Sequence, residues 1–191
     1  MSKTDMSLSR PYDESASPVI IEALTRQLKE LYEAIGLLSD EQFQTSFVYK
    51  TDSNKIKASV GQHTRHIIEF VDTLLNNVDE RLINYDERNR DKDIENSVAT
   101  AKMTITRLCE RLKTLTNQDL QKPIDMVEAV HVESDSDPAG STVAREIYFV
   151  ISHTEHHFAL IAERCDILGI SLPDNFGKAV STRRYESGAS P

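Results

Sequence analysis

Four stretches of this chain repeat apolar residues at three- and four-residue steps, and that period limits the fold more than any other feature. The first runs from about Pro18 to Leu38, with Ile20, Ile21, Leu24, Leu28, Leu31, Ile35 and Leu38 in its stripe. The second runs from Ser59 to about Tyr85 through Val60, Ile67, Phe70, Val71, Leu74, Val78 and Leu82. The third, from Ile94 to Leu115, carries Val98, Ala101, Ile105, Leu108, Leu112 and Leu115. The fourth spans Ser141 to Leu168, and Gly169 is suited to stop it. Rods with one apolar stripe bury it against one another, so the spacing predicts an all-α four-helix bundle.

Between the rods the pattern breaks. Ser17 before Pro18 fits a helix start with proline in the first turn. Ser39-Asp40-Glu41 opens a connector with little period that reaches Lys57. The segment Asp86 to Asp93 is almost wholly charged or amide, which predicts an exposed linker. Met126 to Glu133 alternates in part, so a short β-hairpin or strand is expected before the last helix, with a turn from Ser134 to Gly140. Residues 1–15 read as a mobile N-terminal arm, 16–170 as the bundle domain and 171–191 as an irregular C-terminal tail.

A length of 191 residues suits one domain with a substantial core. The net charge of −9, from 22 basic and 31 acidic residues, disfavours nucleic acid as a partner. No apolar run approaches the roughly 20 residues that cross a bilayer, and no basic-then-apolar leader opens the chain. No membrane partner and a cytoplasmic location are therefore expected. Cys109 and Cys165 lie in apolar helical contexts and are expected as free buried thiols. There is no glycine-rich phosphate loop and no Ser-His-Asp spacing.

The chemistry-bearing residues are histidines. His153 and His157 are one helical turn apart, about 40° around the wheel, and both fall inside the apolar arc of the fourth helix. His156 lies at the edge of that arc. Glu155 points nearly backward, which excludes zinc-protease chemistry of the His-Glu-x-x-His type. On the second helix, His63 sits within the arc and His66 at its polar margin, so either could face the pair. The wheel alone leans to His63. Taken singly, such a histidine is as well explained as a hydrogen-bonded core residue. Imidazoles presented by two helices toward one core instead suggest a metal site. His131, in the hairpin region, carries no such signal.

The pattern Ser59-Val60-Gly61-Gln62, then His66, then His153-x-x-x-His157 on a last helix resembles the DinB-like superfamily. That group includes the bacillithiol and mycothiol S-transferase-like proteins and the four-helix domain of ergothioneine-synthesis enzymes. The resemblance covers about residues 18–168. Arg145 to Phe149 and Leu172 to Gly177 look like a bacterial branch of it. It implies an up-down-down-up bundle, usually a homodimer, with metal ligands at His66, His153 and His157. His63 is left as an alternative ligand or as a residue supporting the ligands. It also implies a divalent ion, with zinc best suited to three imidazoles and nickel, iron or manganese compatible. A low-molecular-weight thiol would be a cofactor.

Such a site could activate water for hydrolysis or a thiol for transfer to a small-molecule electrophile. Glu69, Asn77, Arg145 and Glu146 are candidate helpers, with Glu146 as a base or in a salt bridge with Arg65 or Arg145. Phe176 and the Ser181 to Tyr185 run could cover the site mouth. The competing readings are a non-catalytic metal- or ligand-binding, stress-associated bundle, and a helical interaction module whose histidines are incidental.

Overall fold

The computed structural model describes residues 18–50, 55–132 and 136–188. The expected arm at 1–15 and the Ser17 cap lie outside these residues. Helix α1 (Val19–Ile35) starts with Pro18 as its cap residue, one position earlier than the expected placement inside the first turn. The connector that follows is not featureless. It holds a short helix α2 (Asp40–Gln44) and a hairpin of β1 (Phe47–Lys50) and β2 (Lys55–Ala58), paired from Phe47↔Ala58 to Lys50↔Lys55.

Helix α3 (Val60–Asn76) is shorter than its stripe suggests. Asn77 ends it, its side chain bonding back to the Thr73 carbonyl. The chain then enters β3 (Leu82–Asn84), where alternation replaces the helical period: Ile83 is fully buried and Leu82 is 45% exposed. Leu82 is therefore not a core residue. Its place in the sequence stripe was a coincidence of spacing.

After β3 come α4 (Lys92–Asn96) and α5 (Val98–Leu112), separated at Ser97, whose hydroxyl accepts from the Thr100 amide. A one-turn helix α6 (Asn117–Leu120) leads into β4 (Pro123–Val127) and β5 (Ala139–Thr142). The strand expected at Met126 to Glu133 thus begins earlier, and its partner straddles the end of the expected turn and the expected start of the last helix. β4 pairs antiparallel with β5 and parallel with β3, giving the order β3-β4-β5. The third strand was invisible because parallel pairing needs a distant segment.

Helix α7 (Val143–Ile167) is the longest rod. It closes with Gly169 at φ +72°, the Ile170 amide bonding to the Cys165 carbonyl and the Gly169 amide to that of Asp166. The tail is not wholly irregular: α8 (Val180–Glu186) follows a turn in which Phe176 stacks on Phe158 at 4.5 Å.

The four long helices form one bundle in which α1 and α3 each pack on both α5 and α7. Consecutive rods α1 and α3 thus sit diagonally, which is why a long crossover with its own hairpin joins them. The core runs from Ile21, Leu24, Leu28 and Leu31 of α1 through Ile67, Val71 and Leu74 of α3 to Ile105, Leu108 and Leu112 of α5. Val150, Phe158 and Ile161 of α7 complete it. Cys109 and Cys165 are free and buried, as expected. No helix among the described residues is long and apolar enough to cross a membrane.

Candidate metal centre

The adjacent pair α3 and α7 carries the histidines. Helix α3 is started by a reciprocal cap, in which Ser59 Oγ accepts from the Gln62 amide and Gln62 Oε1 accepts from the Ser59 amide, both at 3.0 Å. Gly61 is required by a close approach. A Cβ there would lie 2.0 Å from the Glu95 carbonyl oxygen and 3.0 Å from Phe43. The Ser-Val-Gly-Gln sequence is therefore a device that seats the first turn of α3 against α4 and sets the depth of His63 and His66. On α7, Thr142 caps the start by accepting from the Arg145 amide at 3.2 Å.

His66 Nε2 lies 2.9 Å from His153 Nε2, and His157 Nε2 lies 3.2 Å from the same atom. The ligand-capable atoms of these three residues all fall within 4.8 Å of one another. Nitrogens at bonds of about 2.05 Å around a tetrahedral ion are about 3.3 Å apart, so the spacing fits a common cation. His63 is not in that cluster. Its Nδ1 instead meets His157 Nδ1 at 2.9 Å, on the far side of the His157 ring from Nε2. Both the centre and the margin of the arc face α7: His66 joins the cluster, and His63 meets His157 from outside it.

Burial dominates the charge state of all four rings. It lowers His66 to about 3, with the positive field of Arg88 next in effect, and His157 to about 2, with the neighbouring histidines adding. His153 and His63 are each lowered to about 4, again chiefly by burial. Neutral imidazoles facing one another at these distances cannot all be satisfied by shared protons. A divalent cation satisfies all three lone pairs at once.

One wall of the cluster is aromatic. Phe70 stacks on His153 at 4.3 Å and on Tyr85 at 4.8 Å, and contacts His66 at 4.6 Å. Phe149 lies 5.7 Å from His153, with the Arg145 guanidinium 5.5 Å over its ring.

The expected helpers stand one layer out. Glu146 is fully buried and accepts from Tyr85 Oη at 3.0 Å, Ser141 Oγ at 2.5 Å and Arg145 at 3.1 Å. It is the salt-bridge partner of Arg145 and not of Arg65. Glu69 pairs with Arg65 at 3.5 Å and accepts from the Asp91 amide at 2.8 Å, while Arg65 reaches Glu95 at 3.1 Å. Asn77 ends α3. His131 is exposed on the loop after β4. The described part of the tail docks elsewhere: Val180 bonds to Glu155, on the backward face of α7, and Arg183 approaches Glu30 of α1 at 4.0 Å.

Two residues were missed. The sequence pattern places Tyr85 at a helix end and Arg88 in an exposed linker. The Arg88 side chain is only 13% exposed and lies 4.6 Å over the Phe70 ring. Nothing periodic marks that segment, and its one hint was an arginine among acids and amides.

The family model of the DinB superfamily matches residues 23–161. The chain belongs to the DinB superfamily. The family suggested by the Ser59–Gln62 and histidine pattern is thus its own. The fold is shared with YfiT from Bacillus subtilis, described as a probable metal-dependent hydrolase with an unusual four-helix bundle topology. The two are 19% identical over 85% of this chain and 93% of that one, with a TM-score of 0.51. A stretch of 105 residues is 30% identical to FK506-binding protein 5 of Rhizopus delemar, covering 54% of this chain and 27% of that protein. The chain therefore spans about a quarter of the length of the curated relative it matches.

Proposed function

We propose that this protein is a metal-dependent enzyme acting on a small molecule, with His66, His153 and His157 as the ligands of one divalent ion. The observation that carries the reading is the convergence of three ring nitrogens, at 2.9 and 3.2 Å about His153 Nε2. Three imidazoles suit zinc well, and nickel, iron and manganese are compatible. All three rings are half-buried and no fourth acidic or sulfur group joins the cluster among the described residues, which favours an open coordination position over a closed structural one.

When bound, such an ion supplies Lewis acidity that makes a water or a thiol acidic enough to lose its proton near neutral pH. The protein's own groups set the geometry. His157 must present the lone pair of Nε2 to the common point, so its Nδ1 carries the proton and donates it to His63 Nδ1. Phe70 and Phe149 exclude water from one side of His153. With thiol as nucleophile, a sulfur–carbon bond forms on the acceptor as the bond to its leaving group breaks. With water, an oxygen–carbon or oxygen–phosphorus bond forms and the ester or amide partner departs with the proton. The family resemblance leans to a thiol and the description of YfiT to hydrolysis. A homodimer is part of the same reading.

The test is elemental analysis of untagged protein, then assays of the metal-loaded form with thiols plus an activated aryl halide and with activated esters. One equivalent of metal, lost in His153→Ala and His157→Ala, is expected together with turnover. Metal without turnover would favour a non-catalytic binding protein. No stoichiometric uptake of any of the four metals would remove the enzyme reading.

A further inference from the structure

We propose that Arg88 is the anion-binding residue of this site, taking the carboxylate of a small molecule whose reacting group lies at the histidine cluster. The proposal rests on the metal-dependent reading above and adds to it a substrate class.

Arg88 lies between β3 and α4, and its guanidinium is held where water hardly reaches. Its carbon is 4.6 Å from the centre of the Phe70 ring, which is itself 4.6 Å from that of His66 and 4.3 Å from that of His153. The guanidinium is therefore within about 9 Å of both imidazoles, a span that a two- or three-carbon acid bridges.

The donors of Arg88 are not all used. One nitrogen bonds the Tyr85 carbonyl. Nε is buried without a hydrogen-bond partner. The nearest carboxylate, Glu69, stands 3.9 Å from it, at ion-pair range, and is already shared by Arg65 at 3.5 Å and the Asp91 amide at 2.8 Å. A desolvated guanidinium with an unfilled donor is costly, and a planar oxyanion fills it in the geometry that its fork prefers.

On its side away from the histidines, which do not line the space, Arg88 borders a cavity of about 230 Å³ in which it is the sole cation among the described residues. Asn76, Asn77, Asn84 and Asn89 line the same space and can donate to an anion without repelling it. Of the acids there, Asp72 is neutralised by Arg111 at 2.9 Å and Arg107 at 3.6 Å, Glu69 is held as described, and Glu87 is exposed. In a chain of net charge −9, an anionic substrate needs such a local receptor.

The experiment compares two thiols on the cobalt-loaded full chain, 3-mercaptopropionate and 2-mercaptoethanol, by the thiolate-to-cobalt absorption band. Wild type should prefer the acid by about tenfold, the scale of one charge-assisted hydrogen bond. Arg88→Gln should bring the ratio toward one, and Arg88→Lys should keep part of it. A second arm titrates the metal-free chain with propionate and follows the Arg88 Nε–H signal by nitrogen-15 NMR, where a saturable shift is expected. No preference in wild type, or one that survives in Arg88→Gln, overturns the proposal. So does a silent Arg88 signal. Should cobalt fail to bind, the metal reading falls and the NMR arm still decides on Arg88.

Discussion

Removing the His63 ring tests the division of labour among the histidines most sharply. In the structure its Nδ1 is 2.9 Å from His157 Nδ1, and no distance places it among the three clustered nitrogens. A group that only orients a ligand typically contributes 10- to 100-fold in metal affinity, or about 1.4–2.7 kcal/mol. His63→Ala should therefore keep one metal per chain but bind it 10- to 100-fold more weakly, whereas His66→Ala should lose stoichiometric binding altogether. Asparagine can place its side-chain oxygen near the position of Nδ1, so His63→Asn should recover much of the loss. That rescue separates a lost hydrogen bond from the cavity that alanine leaves at a residue 91% buried.

The assay is competition for zinc against a chromophoric chelator, read with the cobalt spectrum of each variant. If His63→Ala loses as much as His66→Ala, His63 is itself a ligand and the assignment is wrong. If it loses nothing, the contact between the two rings does not orient His157.

Metal should also stabilise the fold. At a free concentration 100 times Kd, binding adds about 2.7 kcal/mol, or about 5–11 °C in Tm for a chain of this size, reversed by a chelator in thermal melts. The metal-free chain should weaken in acid. The four rings are lowered to between about 2 and 4, so below the unfolded value near 6.5 the unfolded chain binds more protons than the folded one. Stability should thus be full above pH 6.5 and fall as pH drops toward 4. Each such proton contributes at most about 1.4 kcal/mol per pH unit before solvent screening of the half-buried rings. Urea midpoints across that window that stay level would refute it. Gly61→Ala should cost about 2 kcal/mol or more in urea unfolding, because its Cβ meets the Glu95 backbone at 2.0 Å. A change within about 0.5 kcal/mol would show that α4 moves freely.

The bundle was legible in the chain because each rod carries a long apolar stripe, and Leu24, Ile67, Leu108 and Ile161 are all fully buried. What escaped were the places where a short local pattern competes with that period. Leu82 extended the α3 stripe by spacing alone, yet the pairing of Ile83 with Met126 makes the segment a strand. A pairing partner 43 residues away leaves no local trace. His153 and His157 could be read from one helix, since their relation is fixed within it. The choice between His63 and His66 could not, because it depends on how α3 is rolled against α7. That roll is set by contacts the sequence does not show, such as the approach of Gly61 to Glu95. Arg88 was hidden for the opposite reason: composition marks its segment as solvent-facing, and only tertiary contact with Phe70 buries it.

The polar residues of α7 explain how that helix keeps its histidines aimed. Glu146 lies seven residues before His153, and Arg164 seven after His157, so all four share one face of the helix, about two turns apart at each end. Both outer residues are buried, at 0% and 3% exposure, where apolar side chains would ordinarily pack. Each grips something tied to α3. Arg164 donates from Nε to the carbonyl of Ala58, the residue before the Ser59 cap. Glu146 holds the hydroxyl of Tyr85, whose ring stacks on Phe70. A purely apolar stripe would leave α7 free to roll by a fraction of a turn at little cost, since such packing is only weakly directional. Hydrogen bonds at both ends are directional, and breaking either costs a buried charged group one of its hydrogen bonds. The two anchors therefore fix the roll of α7 relative to α3 at the one place where an error of about 1 Å would separate ring nitrogens from a common ion.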